Sequence, residues 1–191
     1  MSLVASMMSA NGRMAPADFQ KAGLVLVAIS FVLGLFPLFL PLILAGVIGL
    51  LSLVLIYPWV CIWSKRLHDA GKSGWLTLVV IVVWIVLGMI ANQIVSMIFG
   101  GEATRMMAAA METGNPDAIM QASQAASQAT ALPTAILNAL VSVAMIFGGN
   151  AILQQDPQEN RYGPVPGAEG APEAMPAESP VETPENTDQN G

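Results

Sequence analysis

Between Ala22 and Ser64 the chain runs for 43 residues without a charged side chain. A helix needs about 20 apolar residues to cross the hydrocarbon core of a bilayer, where the backbone must satisfy its own hydrogen bonds. A run of this length holds two crossings. Pro37 and Pro41 interrupt it near the middle, because proline starts helices far better than it continues them. The spacing predicts one helix over about 22–37 and a second over about 42–63, joined closely enough to form an antiparallel hairpin. A buried hairpin in a soluble protein would need a polar face to show to water, and neither segment has one. Leu76 to Gly100 is again uncharged and predicts a third span over about 76–100. Leu132 to Leu153 predicts a fourth over about 132–153, with Pro133 in its first turn. Only 10% of the residues are charged, against about a quarter in soluble domains. The fold class expected is an all-α integral membrane protein with four transmembrane helices arranged as two antiparallel hairpins.

The formal charge of −6 describes a tail and not the body. Residues 167–191 carry Glu169, Glu173, Glu178, Glu182, Glu185 and Asp188 and no base, while residues 1–166 balance seven bases against seven acids. Prolines recur every four residues among these glutamates, a composition that cannot bury a core and predicts disorder. Residues 1–21 read as an N-terminal segment without the basic start and short apolar core of a secretory signal. Residues 101–131 are rich in alanine and methionine, and Asn115-Pro116-Asp117 is a helix-start pattern. They read as an external insertion of two short helices on the membrane surface.

Orientation follows from the basic residues, which favour the cytoplasmic side. The connection between spans two and three carries Lys65, Arg66 and Lys72 against Asp69, whereas that between spans three and four carries Arg105 against Glu102, Glu112 and Asp117. The first is expected inside and the second outside, which puts both termini in the cytoplasm. On that topology Asn92 and Asn138 lie at similar depth, roughly 8–10 Å below the outer surface at about 1.5 Å per residue. They are expected to face each other or a shared helix, since amides in lipid seek partners.

The chemistry-bearing residues concentrate in Lys65-Arg66-Leu67-His68-Asp69-Ala70-Gly71-Lys72-Ser73-Gly74-Trp75, which holds the only histidine. Lys65 or Arg66 can pair with Asp69 at helical spacing. Gly71 and Gly74 mark a turn, Ser73 can cap the next helix, and Trp75 suits the interfacial belt. His68 adjoins Asp69 and would point away from it on a helix, so no triad geometry forms, and catalytic residues are expected to be none. The single Cys61 lies in an apolar run and reads as a packing residue. One histidine, one embedded cysteine and scattered carboxylates match no metal-ligand spacing, so no metal or cofactor is expected. Gly71-Lys72-Ser73-Gly74 is like a phosphate loop only superficially, lacking its preceding glycine and strand.

Arg66-Leu67-His68-Asp69 and Gly71-Lys72-Ser73-Gly74-Trp75 between two spans, then Asn160-Arg161-Tyr162-Gly163-Pro164 after the last, resemble the small bacterial inner-membrane proteins catalogued as domain of unknown function 805. Gly12-Arg13 followed by Phe19 is a weaker third match. The resemblance covers roughly residues 12–166. Pro16 stands where the family often has a second basic residue, Gln20 where an aromatic is usual, and Lys65 where arginine is frequent, while 101–131 looks like an addition to a compact core. The resemblance implies a four-helix protein of the bacterial inner membrane and no established activity.

Taken together, Arg13, Arg66, His68, Asp69, Trp75, Asn160 and Tyr162 are expected to gather into one polar cluster at the cytoplasmic face. Gly71, Lys72, Ser73, Gly74 and Gly163 shape it, and residues 157–166 dock the chain leaving span four. Expected partners are the bilayer itself, including anionic phospholipid, and a membrane-protein partner or further copies of the chain, with no nucleic acid. The leading reading is a non-catalytic binding, scaffolding or regulatory membrane protein. The alternative is a small oligomeric channel or transporter, which should carry ionisable groups within its spans; none is present there.

Overall fold

The computed structural model describes residues 3–167; the acidic tail expected to be disordered lies outside the described residues but for Gly167. These residues form an all-helical bundle. Helix α1 (Leu3–Met7) is a short lead-in. Helix α2 (Pro16–Gly34) starts on Pro16 with Asp18 in its first turn, where a carboxylate suits the positive end of the helix dipole. It ends in a tight turn over Phe36–Leu38, around Pro37.

Helix α3 (Leu42–Ser52) follows Pro41 and leads through a 3-10 turn at Leu53–Leu55 into α4 (Ile56–Asp69). The expected single helix over 42–63 is thus interrupted in its interior. Pro58 supplies the reason: it lacks an N–H, and its ring crowds the carbonyl four residues earlier, at Val54. At its other end α4 outruns the expected span by six residues, reaching Asp69. There Ala70 caps the helix, Gly71 turns left-handed at φ +68°, and the N–H groups of Gly71 and Lys72 reach back to the carbonyls of His68 and Leu67 at 3.0 and 2.8 Å. That pair of bonds is a Schellman stop, which needs glycine at its left-handed position.

Ser73 accepts a hydrogen bond from the N–H of Trp75 as the chain turns into α5 (Thr77–Phe99). Helix α6 (Gly101–Thr113) stops at Gly114, which has a φ of +63°, and Asn115 caps α7 (Pro116–Ile152) through the N–H of Asp117. The second surface helix expected in the insertion is not separate. It is the first third of α7, a single helix of 37 residues with Pro133 inside it. Alanine and glutamine favour helix strongly, and α6 packs along this stretch, so the bond lost at Pro133 does not stop it.

Helix α7 is the central column, packed against α2, α5 and α6, while α2 also packs on α4. Close approach depends on absent side chains. A Cβ on Gly23 would sit 2.7 Å from the Cδ1 of Ile146, and one on Gly149 would collide with the Trp63 ring. Phe19, Ile62 and Ile146 are fully buried at this crossing, with Phe19 edge-on to Trp63 at 4.8 Å between centroids. Elsewhere the surface is apolar: Leu50, Val82 and Ile98 are 70%, 59% and 67% exposed. Segments Pro16–Leu38, Leu42–Asp69, Gly74–Phe99 and Pro116–Ile152 are each long and apolar enough to cross a membrane, and their outward apolar side chains are suited to lipid contact.

Candidate functional site

Three separate parts of the chain meet at one end of the bundle: the approach to α2, the end of α4 and the exit from α7. Asp69 is at their centre and is completely buried. One carboxylate oxygen takes the Arg13 Nε at 3.0 Å, the other takes the Arg66 Nη1 at 2.8 Å, and both arginine side chains are 1% exposed. Helical geometry explains the second pair, three residues apart on α4. Chain topology explains the first, across 56 residues.

Each guanidinium then uses its remaining donors on the chain leaving α7. Arg66 donates through Nε to the Asn150 side chain at 2.7 Å and through Nη2 to the Leu153 carbonyl. Arg13 donates to the carbonyls of Asp156 at 2.6 Å and Gln158 at 2.7 Å, and more weakly to those of Gly163 and Asp69. The Asp156 N–H returns a bond to the Asp69 carbonyl at 2.8 Å. Asn160 donates to the His68 carbonyl at 3.1 Å and to the Asp156 carboxylate at 3.2 Å. The N–H of Gln158 and the side-chain amide of Asn160 hold the Asp156 carboxyl below the usual carboxylate range; partial desolvation opposes them and Arg13 adds to the pull. Two guanidiniums and two carboxylates make the cluster neutral.

A second layer closes over the first. The His68 ring stacks on Tyr162 with centroids 3.7 Å apart and planes 7° from parallel. Its Nδ1 lies 3.1 Å from the Gly12 carbonyl, which can only accept, so this nitrogen carries the proton. Tyr162 is held by a turn in which Asn160 accepts from the Tyr162 N–H at 3.0 Å and pairs through its backbone with Gly163, at φ +125°. Arg161 lies over the outer face of Tyr162 at 4.7 Å. Gly74 is needed where the next helix begins, since a Cβ there would come within 2.5 Å of the Ser64 hydroxyl and 2.8 Å of the His68 Nε2. A Cβ on Gly71 would sit 3.3 Å from the Asp156 carboxylate.

Arg13, Arg66, His68, Asp69, Asn160, Tyr162, Gly71, Gly74 and Gly163 therefore do come together. Trp75, expected among them, points away and is 79% exposed; Ser73 caps its own helix turn, and Lys72 is exposed beside it. Lys65 does not pair with Asp69. It is buried, and its Nζ donates to the Ser6 carbonyl at 2.6 Å, while Tyr57 donates to the Met8 carbonyl at 3.0 Å, so α1 is tied down along α4. Of the three basic residues between spans two and three, Lys65 and Arg66 are buried and Lys72 is exposed, as is Arg161. Asn92 and Asn138 line one cavity, but no hydrogen bond joins them among the described residues.

Asn150, Asp156 and Gln155 were not singled out from sequence, although Gln155 also reaches Asp69 at 3.4 Å. The signal available was a polar run at the very end of an apolar helix.

The fold and this end define a class: a multi-pass helical membrane protein in which the segments entering α2 and leaving α7 are pinned by a buried ion-pair network. The family model described as "Protein of unknown function (DUF805)" matches residues 7–164, a stretch containing every member of the network, and the chain belongs to that family. Among curated proteins and among solved structures, none matches the chain.

Proposed function

We propose that the protein is a multi-pass bacterial inner-membrane protein of two helical hairpins that acts, without catalysis, as a binding, scaffolding or regulatory element through its cytoplasmic end. The observation carrying this reading is a division of labour at that end. Asp69, Arg66 and Arg13 are buried and engaged with one another and with backbone carbonyls, while Trp75, Lys72 and Arg161 form an exposed aromatic and basic rim beside them. A saturated network makes a stiff base, and an exposed tryptophan with cations is the surface chemistry of a protein contact. His68 and Asp69, the pair that could have served acid–base chemistry, are each committed to structural partners.

A photo-crosslinking residue at position 72 in living cells tests this. A discrete protein adduct, identified by mass spectrometry and weakened at least fivefold by Trp75→Ala, is the expected result. Phospholipid adducts alone would overturn the reading and leave the rim as a lipid anchor.

Sidedness has its own test. In a Cys61→Ser background, Glu112→Cys should react with a membrane-impermeant maleimide in intact spheroplasts and Lys72→Cys should not, the order reversing in inverted vesicles. Reaction of both from one side would refute the four-crossing arrangement.

A further inference from the structure

A half-open cavity of about 700 Å³ lies among the membrane-spanning helices, walled by α2, α3, α4, α5 and α7. Helices α3 and α5 face each other across it without packing together. An open groove of about 560 Å³ runs along α6 and adjoins the first cavity, with Asn92, Ser127, Thr130 and Thr134 bordering both. No ionisable residue lines either one.

Polar side chains are more numerous in the lining towards the α6 end, where they stand among Leu33, Pro37 and Ile48, than towards the other end, which has Ser52 and Ser142. Towards the ion-pair end stand Trp59, Val27 and Trp84, whose indole donates to the Ser142 hydroxyl at 3.2 Å. Towards the α6 end stand Asn92, Ser127 and Thr130. From Trp84 to Asn92 is about 12 Å along α5, and from Ser142 to Ser127 about 22 Å along α7, at 1.5 Å per residue. Neither the Asn92 nor the Asn138 side-chain amide has a hydrogen-bond partner among the described residues. Amides at membrane depth are expensive unless something accepts and donates to them.

We infer that this cavity is a binding site for an uncharged amphipathic lipid whose head group carries hydroxyl or ester oxygens. The head sits among Asn92, Thr130 and Asn138, and the tail lies towards Trp59 and Trp84. The polar end of the cavity is at the α6 side of the bundle, near the depth of one bilayer interface, and the apolar end is deeper, which is the orientation a lipid of that leaflet already has. Absence of charge in the lining disfavours phosphate-headed lipids, whose desolvated charge would go uncompensated. It also disfavours the acidic residues 169–188 of this chain. The site is separate from the rim on which the proposed function rests.

The test uses the full chain in nanodiscs with a diacylglycerol carrying a diazirine in one acyl chain. The expected result is saturable labelling of α5 and α7 peptides within residues 84–92 and 127–142, competed by plain diacylglycerol and not by phosphatidylglycerol. Gly49→Trp should cut it at least fivefold, because nothing lies within 4 Å of a Cβ at Gly49 and the indole can fill the space without disturbing the fold. Asn92→Leu, at an exposed position, should weaken competition by hydroxyl-headed lipid in the same sense. Labelling that does not saturate, that persists in Gly49→Trp, or that is equal with a diazirine phosphatidylglycerol overturns the inference. So does a disulfide crosslink between copies carrying Gly49→Cys and Gly88→Cys. The adduct formed from position 72 reads out independently of all these outcomes.

Discussion

Replacing Asp69 with asparagine is expected to destabilise the folded chain by about 3–5 kcal/mol, the loss typical of a buried ion pair from which one partner is removed. The side chain is wholly buried and serves two guanidiniums at once. Asparagine keeps the shape but removes the charge, and it turns one acceptor into a donor that faces donors. Arg66 would retain Asn150 and the Leu153 carbonyl, and Arg13 would retain the carbonyls of Asp156 and Gln158. Those acceptors satisfy geometry but carry no charge, so two guanidiniums are left against the single carboxylate of Asp156. Arg13→Gln should be milder, since Asp69 keeps Arg66. Combined with Asp69→Asn it should fall short of additivity by about 0.5–3 kcal/mol, as for residues in one network. Titration of the purified protein with a denaturing detergent gives each value. A loss below about 1 kcal/mol for Asp69→Asn would mean that the network does not hold the helices together.

The four membrane-capable helices were legible because a bilayer imposes a strict rule on composition and length, and the uncharged runs obey it. The Arg66–Asp69 pair was legible because helix geometry alone brings residues three apart together. What went unread had physical reasons too. Pro58 stands in the same uncharged run as Pro37 and Pro41, but it disturbs one turn without ending the crossing, so the length rule that divides the run at Pro37 and Pro41 does not register it. The continuation of α7 through Pro133 depends on α6 packing beside it, which is a tertiary effect. Lys65 found a backbone carbonyl, that of Ser6, and Arg13 found three beyond Asp69 itself. Every residue offers a carbonyl, so no pattern of residue types announces which one will be used. Trp75 was grouped with its neighbours because they are adjacent in sequence; the 3-10 turn at Gly74–Leu76 carries it outward.

Ending the chain after Gln154 is the second large perturbation, and comparison with a chain ending after Pro166 isolates it. The longer form loses only the acidic tail and should match the full chain, because the hydrogen bonds described above involve residues up to Gly163. The shorter form removes the acceptors that Arg13 uses at Asp156, Gln158 and Gly163, the Asn160 clamp on the His68 carbonyl, and the Tyr162 ring that covers His68. A hydrogen bond to a charged group contributes about 1.5–3 kcal/mol net. Water entering the opened end recovers part of that for Arg13, which becomes exposed once the cover is gone. The expected loss is therefore about 3 kcal/mol, well below the sum of the individual bonds, and unfolding should shift accordingly in the same detergent titration. The truncation should also uncover the His68 ring, on which Tyr162 stacks, so that His68→Cys reacts faster with maleimide in the shorter form than in the longer one, in the Cys61→Ser background. If the shorter form unfolded like the full chain and position 68 reacted at the same rate in both forms, residues 155–166 would be a passenger on the bundle, and the shared packing of the three chain regions would owe nothing to them.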